Sequence, residues 1–170
     1  MMSPALTSAE DNNNRVLLLE RQQRVGRKLL ATGNGRCNLT NTGAAPENYH
    51  GEEPAFARPA LEQFTPEDTL RFFHGLGLLT VTEYGGRVYP LSNSANSVLD
   101  VLRLTMEQTE NITVSTAAPV TAIQRVGNGF LVKTEAETCP ADKVIVACGG
   151  MAGSKLGGVK DGYALLQSLG

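Results

Sequence analysis

RVLLLE, residues 15–20, is the stretch on which the fold turns. Its length and continuous apolarity fit a strand buried on both faces, as in a parallel sheet, although periodicity alone leaves a helix open. A second run of the same kind, KVIVA at 143–147, leads straight into Cys148-Gly149-Gly150. Between the two runs the periodicity changes. Thr65-Pro66-Glu67-Asp68 places a capping hydroxyl, a proline at the first helical position and acids in the first turn, and Leu70, Phe73 and Leu76 give that helix one apolar face. LLTVTEY and RVYP around Gly85-Gly86 read as a hairpin. A second helix opens in Ser92–Ser97, with a core-facing stripe of Val98, Val101, Leu102, Thr105 and Met106. Strands follow near 112–115, 119–126 and 130–135, the last two joined by Gly127-Asn128-Gly129, and a final helix begins near Asp161. Before RVLLLE, residues 3–14 carry weak helical character that the asparagines at 12–14 end as a turn. Two buried strands, intervening helices and small antiparallel strands predict an α/β fold with an antiparallel side-sheet.

Composition narrows the function. The 170 residues are 41% apolar and 19% charged, an ordinary globular balance that excludes a disordered tail. Fifteen basic against seventeen acidic residues leave a net charge of -2, which argues against nucleic acid or an anionic membrane as the main partner. No apolar stretch is long enough to span a bilayer and the first residues lack a signal-peptide pattern. Cys37, Cys139 and Cys148 are scattered without CxxC spacing, so neither a disulfide framework nor a zinc site is expected, and the reading is a cytoplasmic protein. His50 and His74 are the only histidines and form no metal cluster. The 18 glycines cluster at 26–35, 75–86, 127–129, 149–158 and 162–170, which implies backbone in unusual conformations or brought close to a ligand.

Three places can carry chemistry. Glu20 ends the first buried run, where a carboxylate can accept both hydroxyls of a ribose in a dinucleotide-binding fold; the plainer role is a solvated strand end. GRKLLATGNGRCNLTN, residues 26–41, concentrates Gly26, Gly33 and Gly35 with Arg27, Lys28, Arg36 and the polar side chains Thr32, Asn34, Asn38 and Thr40. Such a set suits a polyanion or a planar polar heterocycle that needs several directed hydrogen bonds, against the alternative of a polar surface loop. Asp161 sits at a helix start beyond the paired glycines, as a ligand contact, a simple cap, or both.

In their order along the chain, GRKLLATGNGRCNLTN, FTPEDTLRFFHGLGL, GGRVYPLSNSANSVLDVL, VTAIQRVGNGFLVKT and KVIVACGG with DGYALLQSLG resemble the bacterial NAD(P)/FAD-dependent oxidoreductases, also called aminoacetone-oxidase-like FAD-binding enzymes. The resemblance covers about residues 15–170. It implies a partial Rossmann-like FAD-binding domain of the glutathione-reductase-like type, flavin-mediated hydride or electron transfer, FAD as cofactor with NAD(P)H as electron donor, and a small-molecule substrate. It also implies roles. Glu20 would hold the adenosine ribose and Arg27 and Lys28 would lie near the nucleotide. Gly33, Asn34, Gly35, Arg36, Cys37 and Asn38 would line the flavin side, with Arg36 stabilising negative charge on the reduced ring. Val120 would meet the adenine through its backbone. Ala147, Cys148, Gly149 and Gly150 would pass the cofactor, and Asp161 and Gly162 would match a Gly-Asp-Gly-Tyr segment.

The departures from that pattern carry expectations of their own. No strand with a G-x-G-x-x-G turn precedes Arg15, residues 1–14 read as an altered remnant of the first helix, Cys148 stands in place of threonine, and Lys160 in place of glycine. Residues 1–170 therefore read as an incomplete FAD-binding domain without the inserted substrate-side domain or the C-terminal return, whose partner would be the remainder of the flavoprotein. A non-catalytic module that keeps the fold without a cofactor, and an NAD(P)-binding module without flavin, are the rival readings.

Overall fold

The computed structural model describes residues 2–11, 13–150 and 161–170. They divide into two compact units, Met1–Lys28 with Arg103–Gly170, and Leu29–Leu102. The α/β class expected from the sequence is the one observed, with a parallel pair and small antiparallel sheets.

In the first unit, helix α1 (Met2–Ala9) buries Met2, Ala5, Leu6 and Ala9, an i, i+3, i+4, i+7 face that packs on strand β1 (Val16–Leu19). β1 pairs in parallel with β5 (Ile112–Ser115), Val16 opposite Ile112 and Leu19 opposite Ser115. Asn111 ties this corner together: its amide donates to the carbonyls of Ala9 (3.0 Å) and Asn14 (2.8 Å), closing the end of α1 and the turn after it. β6 (Val120–Val126), β7 (Gly129–Thr134) and β8 (Thr138–Ala141) form an antiparallel meander whose first turn places Gly127 at φ +58, a conformation glycine adopts without cost. Helix α5 (Asp161–Gln167) closes the unit.

In the second unit, β2 (Thr40–Asn41), β3 (Thr80–Thr82) and β4 (Arg87–Pro90) make a sheet with β4 central. Val88 and Tyr89 of β4 are buried. Two helices, α2 (Arg58–Gln63) and α3 (Pro66–Gly75), precede the β3–β4 hairpin. Helix α4 (Ala95–Gln108) follows it, with Val98 and Leu102 buried in this unit and Met106, beyond Leu102, buried in the first, along the expected stripe.

The start of α3 follows the sequence closely. The Thr65 hydroxyl accepts the Asp68 N–H (3.2 Å) while the Asp68 carboxylate accepts the Thr65 N–H (2.9 Å) and hydroxyl (2.6 Å). The Thr65 hydroxyl, then the Thr65 N–H, then Arg71 hold the Asp68 carboxyl below its ordinary 3.8. A folded value below the unfolded one means that this cap supports α3 above the ordinary value and is lost as pH falls through the folded one. We expect a carboxyl carbon titration of Asp68 with its midpoint below 3.8, moving up towards 3.8 in Thr65→Ala; a wild-type midpoint at or above 3.8 would contradict the cap.

One expectation is corrected. Residues 143–147 do not form a strand: Ile145 is exposed, and among the described residues 144–147 have no backbone hydrogen-bond partner. High β-propensity does not make a strand where no neighbour offers a ladder. The apolar face of α3 is half-buried and contributes no fully buried residue, because Leu70, Phe73 and Leu76 lie on a helix with little covering it. β8 was not anticipated, since Thr138-Cys139-Pro140-Ala141 carries a proline, which a strand tolerates at a sheet edge. Lys160 and the glycines at 153, 157 and 158 lie outside the described residues.

Candidate functional site

The carboxyl end of β1 gathers most of the predicted contacts of the first unit. Glu20 continues the pairing with β5, donating its N–H to the Ser115 carbonyl (2.9 Å) and accepting the Ala118 N–H (3.0 Å) on its own carbonyl. Its side chain is buried and one carboxylate oxygen accepts the Gln22 N–H (2.8 Å). A carboxylate has further lone pairs, so this turn fixes the group and leaves acceptor capacity. Arg27 donates to the Gln22 side chain (3.2 Å). Arg21 pairs with Asp161 at 3.1 Å, which brings the start of α5 to the same end of the strand. Lys28 donates its Nζ to the Gly150 carbonyl (3.2 Å), using one of three ammonium protons.

The 147–150 segment meets α5 closely. A Cβ at Gly162 would stand 2.3 Å from Cys148 Sγ, and one at Gly150 would stand 2.9 Å from the Tyr163 hydroxyl oxygen. Gly149 has φ +75. Glycine is therefore favoured at 149 by conformation, and a Cβ at 162 would force the Cys148 side chain to turn away. Cys148 is exposed.

Beside β1 lies a cavity of about 730 Å³, walled by Leu17, Leu19, Val120, Val144, Val146 and Cys148. The N–H groups of Val16 and Glu20 point to β5, so those of Leu17 and Leu19 point away from it, along the edge of β1 that has no strand partner among the described residues. Val120, expected at an adenine, is half-buried and lines this cavity at the start of β6.

The second unit holds the remaining predicted residues. Residues 29–35 form a short 3₁₀ segment that breaks at Thr32, after which Gly33 (φ +53), Asn34 (+56), Gly35 (+84) and Cys37 (+58) are left-handed. The turn is closed by the Arg36 N–H on the Gly33 carbonyl (3.1 Å) and the Cys37 N–H on the Thr32 carbonyl (3.0 Å). The turn thus spends the Arg36 and Cys37 N–H groups on its own carbonyls. Cys37 is buried; desolvation pushes its thiol above the ordinary 9.0 against a smaller opposing pull from Thr32. That keeps it a protonated packing residue rather than a reactive thiolate. Asn38, with its amide nitrogen turned to β4, donates to the carbonyls of Val88 (3.1 Å) and Thr40 (2.9 Å), so its side chain serves the sheet.

Arg36 is the most heavily partnered of these residues. Its guanidinium lies over the Tyr89 ring, 3.9 Å from the centroid, donates through Nε to the Asn93 side chain and pairs through Nη2 with Glu83. Asn93 is itself left-handed (φ +58) in a turn after β4, which aims its Oδ1. Glu83, Tyr89 and Asn93 were not anticipated. The hairpin that carries Glu83 and Tyr89 was legible, but no local signal says which hairpin residue meets an arginine 47 positions away. The structure thus groups Glu20, Arg27, Lys28, 147–150, Asp161 and Gly162 in one unit and 33–38 in the other. Among the described residues no cluster of His, Cys, Asp and Glu could hold a metal, and no helix is long and apolar enough to cross a membrane.

Comparison with known proteins agrees with this architecture. A family model described as the HI0933-like protein Rossmann domain matches residues 1–170. The chain is 44% identical over 160 residues to the 3-dehydro-bile acid delta(4,6)-reductase of Clostridium scindens, covering 94% of this chain and 39% of the relative. It is 30% identical over 156 residues to the ribosomal RNA dihydrouridine synthase of Escherichia coli, covering 92% and 38%. With the protein of the same description in Haemophilus influenzae it shares 23% over 159 residues, covering 91% and 39%. The chain spans about two fifths of the length of these curated relatives. It belongs to the HI0933-like Rossmann-domain family of FAD-binding flavoproteins.

Proposed function

We propose that residues 1–170 form the nucleotide-binding part of a longer FAD-dependent oxidoreductase that reduces a small-molecule substrate with NAD(P)H as electron donor. The observation that carries this reading is the convergence of Glu20, Lys28, Gly149-Gly150 and Asp161-Gly162 at the carboxyl end of β1, where open α/β sheets bind ligands. The residues fit FAD by their chemistry. Glu20 keeps acceptor capacity for ribose hydroxyls and Lys28 keeps two protons for a phosphate. When bound, FAD supplies hydride or electron transfer through its isoalloxazine ring. The chain's own residues bind and orient it: Glu20 selects the ribose and Lys28 offsets negative charge.

The names of the relatives, a reductase and two dihydrouridine synthases, support reductive chemistry for the longer protein. A second reading is a module that keeps the fold without a cofactor. Titration with FAD separates the two. The first reading expects yellow protein, or uptake of added FAD with quenching of its fluorescence. Glu20→Ala should then weaken FAD about tenfold or more, the effect of removing a charged hydrogen-bond acceptor. Colourless protein that takes up no FAD overturns the flavin reading.

A further inference from the structure

Two donors meet at Gly149-Gly150, and the described residues satisfy neither of them fully. The Lys28 ammonium, on a half-buried side chain, gives one proton to the Gly150 carbonyl at 3.2 Å and stands 3.2 Å from where a Cβ of Gly149 would lie. Among the described residues it has no carboxylate partner, so a partly desolvated cation is left without a counter-charge. The Tyr163 hydroxyl oxygen stands 2.9 Å from where a Cβ of Gly150 would lie and has no hydrogen-bond partner among the described residues. Consecutive Cα atoms are about 3.8 Å apart, so the two groups flank a single peptide. Asp161, two residues before Tyr163, is paired with Arg21 at 3.1 Å, which offsets its charge. All of these residues belong to the first unit.

An ammonium with two protons to spare calls for an anion, and a phenol beside it adds a neutral, directed O–H donor. We propose that Tyr163 is a second ligand, with Lys28, of a phosphoryl group of the bound nucleotide. Lys28 supplies the charge and the Tyr163 hydroxyl donates a hydrogen bond to a phosphoryl oxygen. This inference rests on the nucleotide reading above and goes beyond it by naming a residue that tells a nucleotide from its nucleoside. A phenol ring that only covered the glycines would serve equally well as phenylalanine, since Tyr163 is 53% exposed and its hydroxyl holds no other group.

The test is calorimetric binding of ADP and of adenosine to the full chain, for wild type, Tyr163→Phe, Gly150→Ala and Lys28→Gln, with melting curves to establish that all four proteins fold. Tyr163→Phe removes one oxygen from a partly exposed ring. Gly150→Ala keeps the hydroxyl but pushes it aside, because the new Cβ would stand 2.9 Å from it. We expect each of these two variants to weaken ADP about fivefold, the effect of one hydrogen bond, and Lys28→Gln to weaken it about tenfold or more. Adenosine, which has no phosphate, should bind all four alike. Tyr163→Phe that binds ADP as tightly as wild type overturns the inference, and so does an equal loss of ADP and adenosine, which is the mark of a structural role. Wild-type protein that takes up FAD but not ADP overturns this inference and leaves the flavin reading standing. Protein that takes up neither overturns both.

Discussion

Leu17→Pro is expected to convert a self-associating 170-residue chain into one with much less tendency to associate. In β1 the N–H groups of Val16 and Glu20 are committed to β5, whereas those of Leu17 and Leu19 face the open edge beside the cavity. An apolar strand with an unpaired edge is a template for another strand. The run at 143–147 adds a second apolar segment without a ladder partner among the described residues. Proline at 17 removes a donor from the open edge and leaves the bonds to β5 in place. Light scattering coupled to size exclusion, at rising protein concentration, should show multimers or aggregate for wild type and a shift to smaller species for the variant. Wild-type protein that stays monodisperse and monomeric at high concentration, with a cooperative melt, would refute this use of the edge.

Gly33→Ala is expected to be the most damaging single-methyl change in the 26–41 loop. Two costs combine. The residue sits at φ +53, where an L side chain costs about 1–2 kcal/mol. The added Cβ would also stand 2.8 Å from the backbone nitrogen of Asn38, which cannot swing aside as a side chain would, and 3.3 Å from the Tyr89 ring. Overpacking of this kind adds about 1–3 kcal/mol. Gly35→Ala is the matched control: it is also left-handed, at φ +84, but its Cβ meets nothing nearer than the Leu30 carbonyl at 3.9 Å. Denaturant unfolding should show Gly33→Ala losing at least twice the stability that Gly35→Ala loses. Because Tyr89 is the platform for Arg36, the first variant should also disturb the arginine cluster. Equal losses for the two variants would mean that the approach to Asn38 relaxes freely.

Local chemistry was legible in the residues and long-range pairing was not. Thr65-Pro66-Glu67-Asp68 specifies its own cap, because every partner lies within three residues. The α4 stripe and the Gly127 turn are equally self-contained. RVLLLE was readable as a parallel strand, yet nothing in it names β5 as its partner. KVIVA is a similarly continuous apolar run and fails to become a strand, since pairing depends on a neighbour and not on the run itself. At the candidate site the clustered glycines of 26–41 pointed to unusual backbone conformations, and five left-handed residues bear that out. What Arg36 does there depends on Glu83 and Asn93, whose positions only the folded β4 hairpin and its following turn determine.

The β1–β5 pairing joins segments on either side of the whole second unit. The meander from β6 to β8, by contrast, closes through short turns. Loop-closure entropy rises as the logarithm of length, so tethering strands roughly 95 residues apart costs about 3 kcal/mol more than closing a hairpin turn. A proteolytic nick anywhere in 29–102 would make that pairing bimolecular, dependent on concentration and on whatever else keeps the two pieces together. The meander would remain a single uninterrupted piece. The parallel pair that presents Glu20 is thus the part of its unit most sensitive to the covalent integrity of a segment outside that unit.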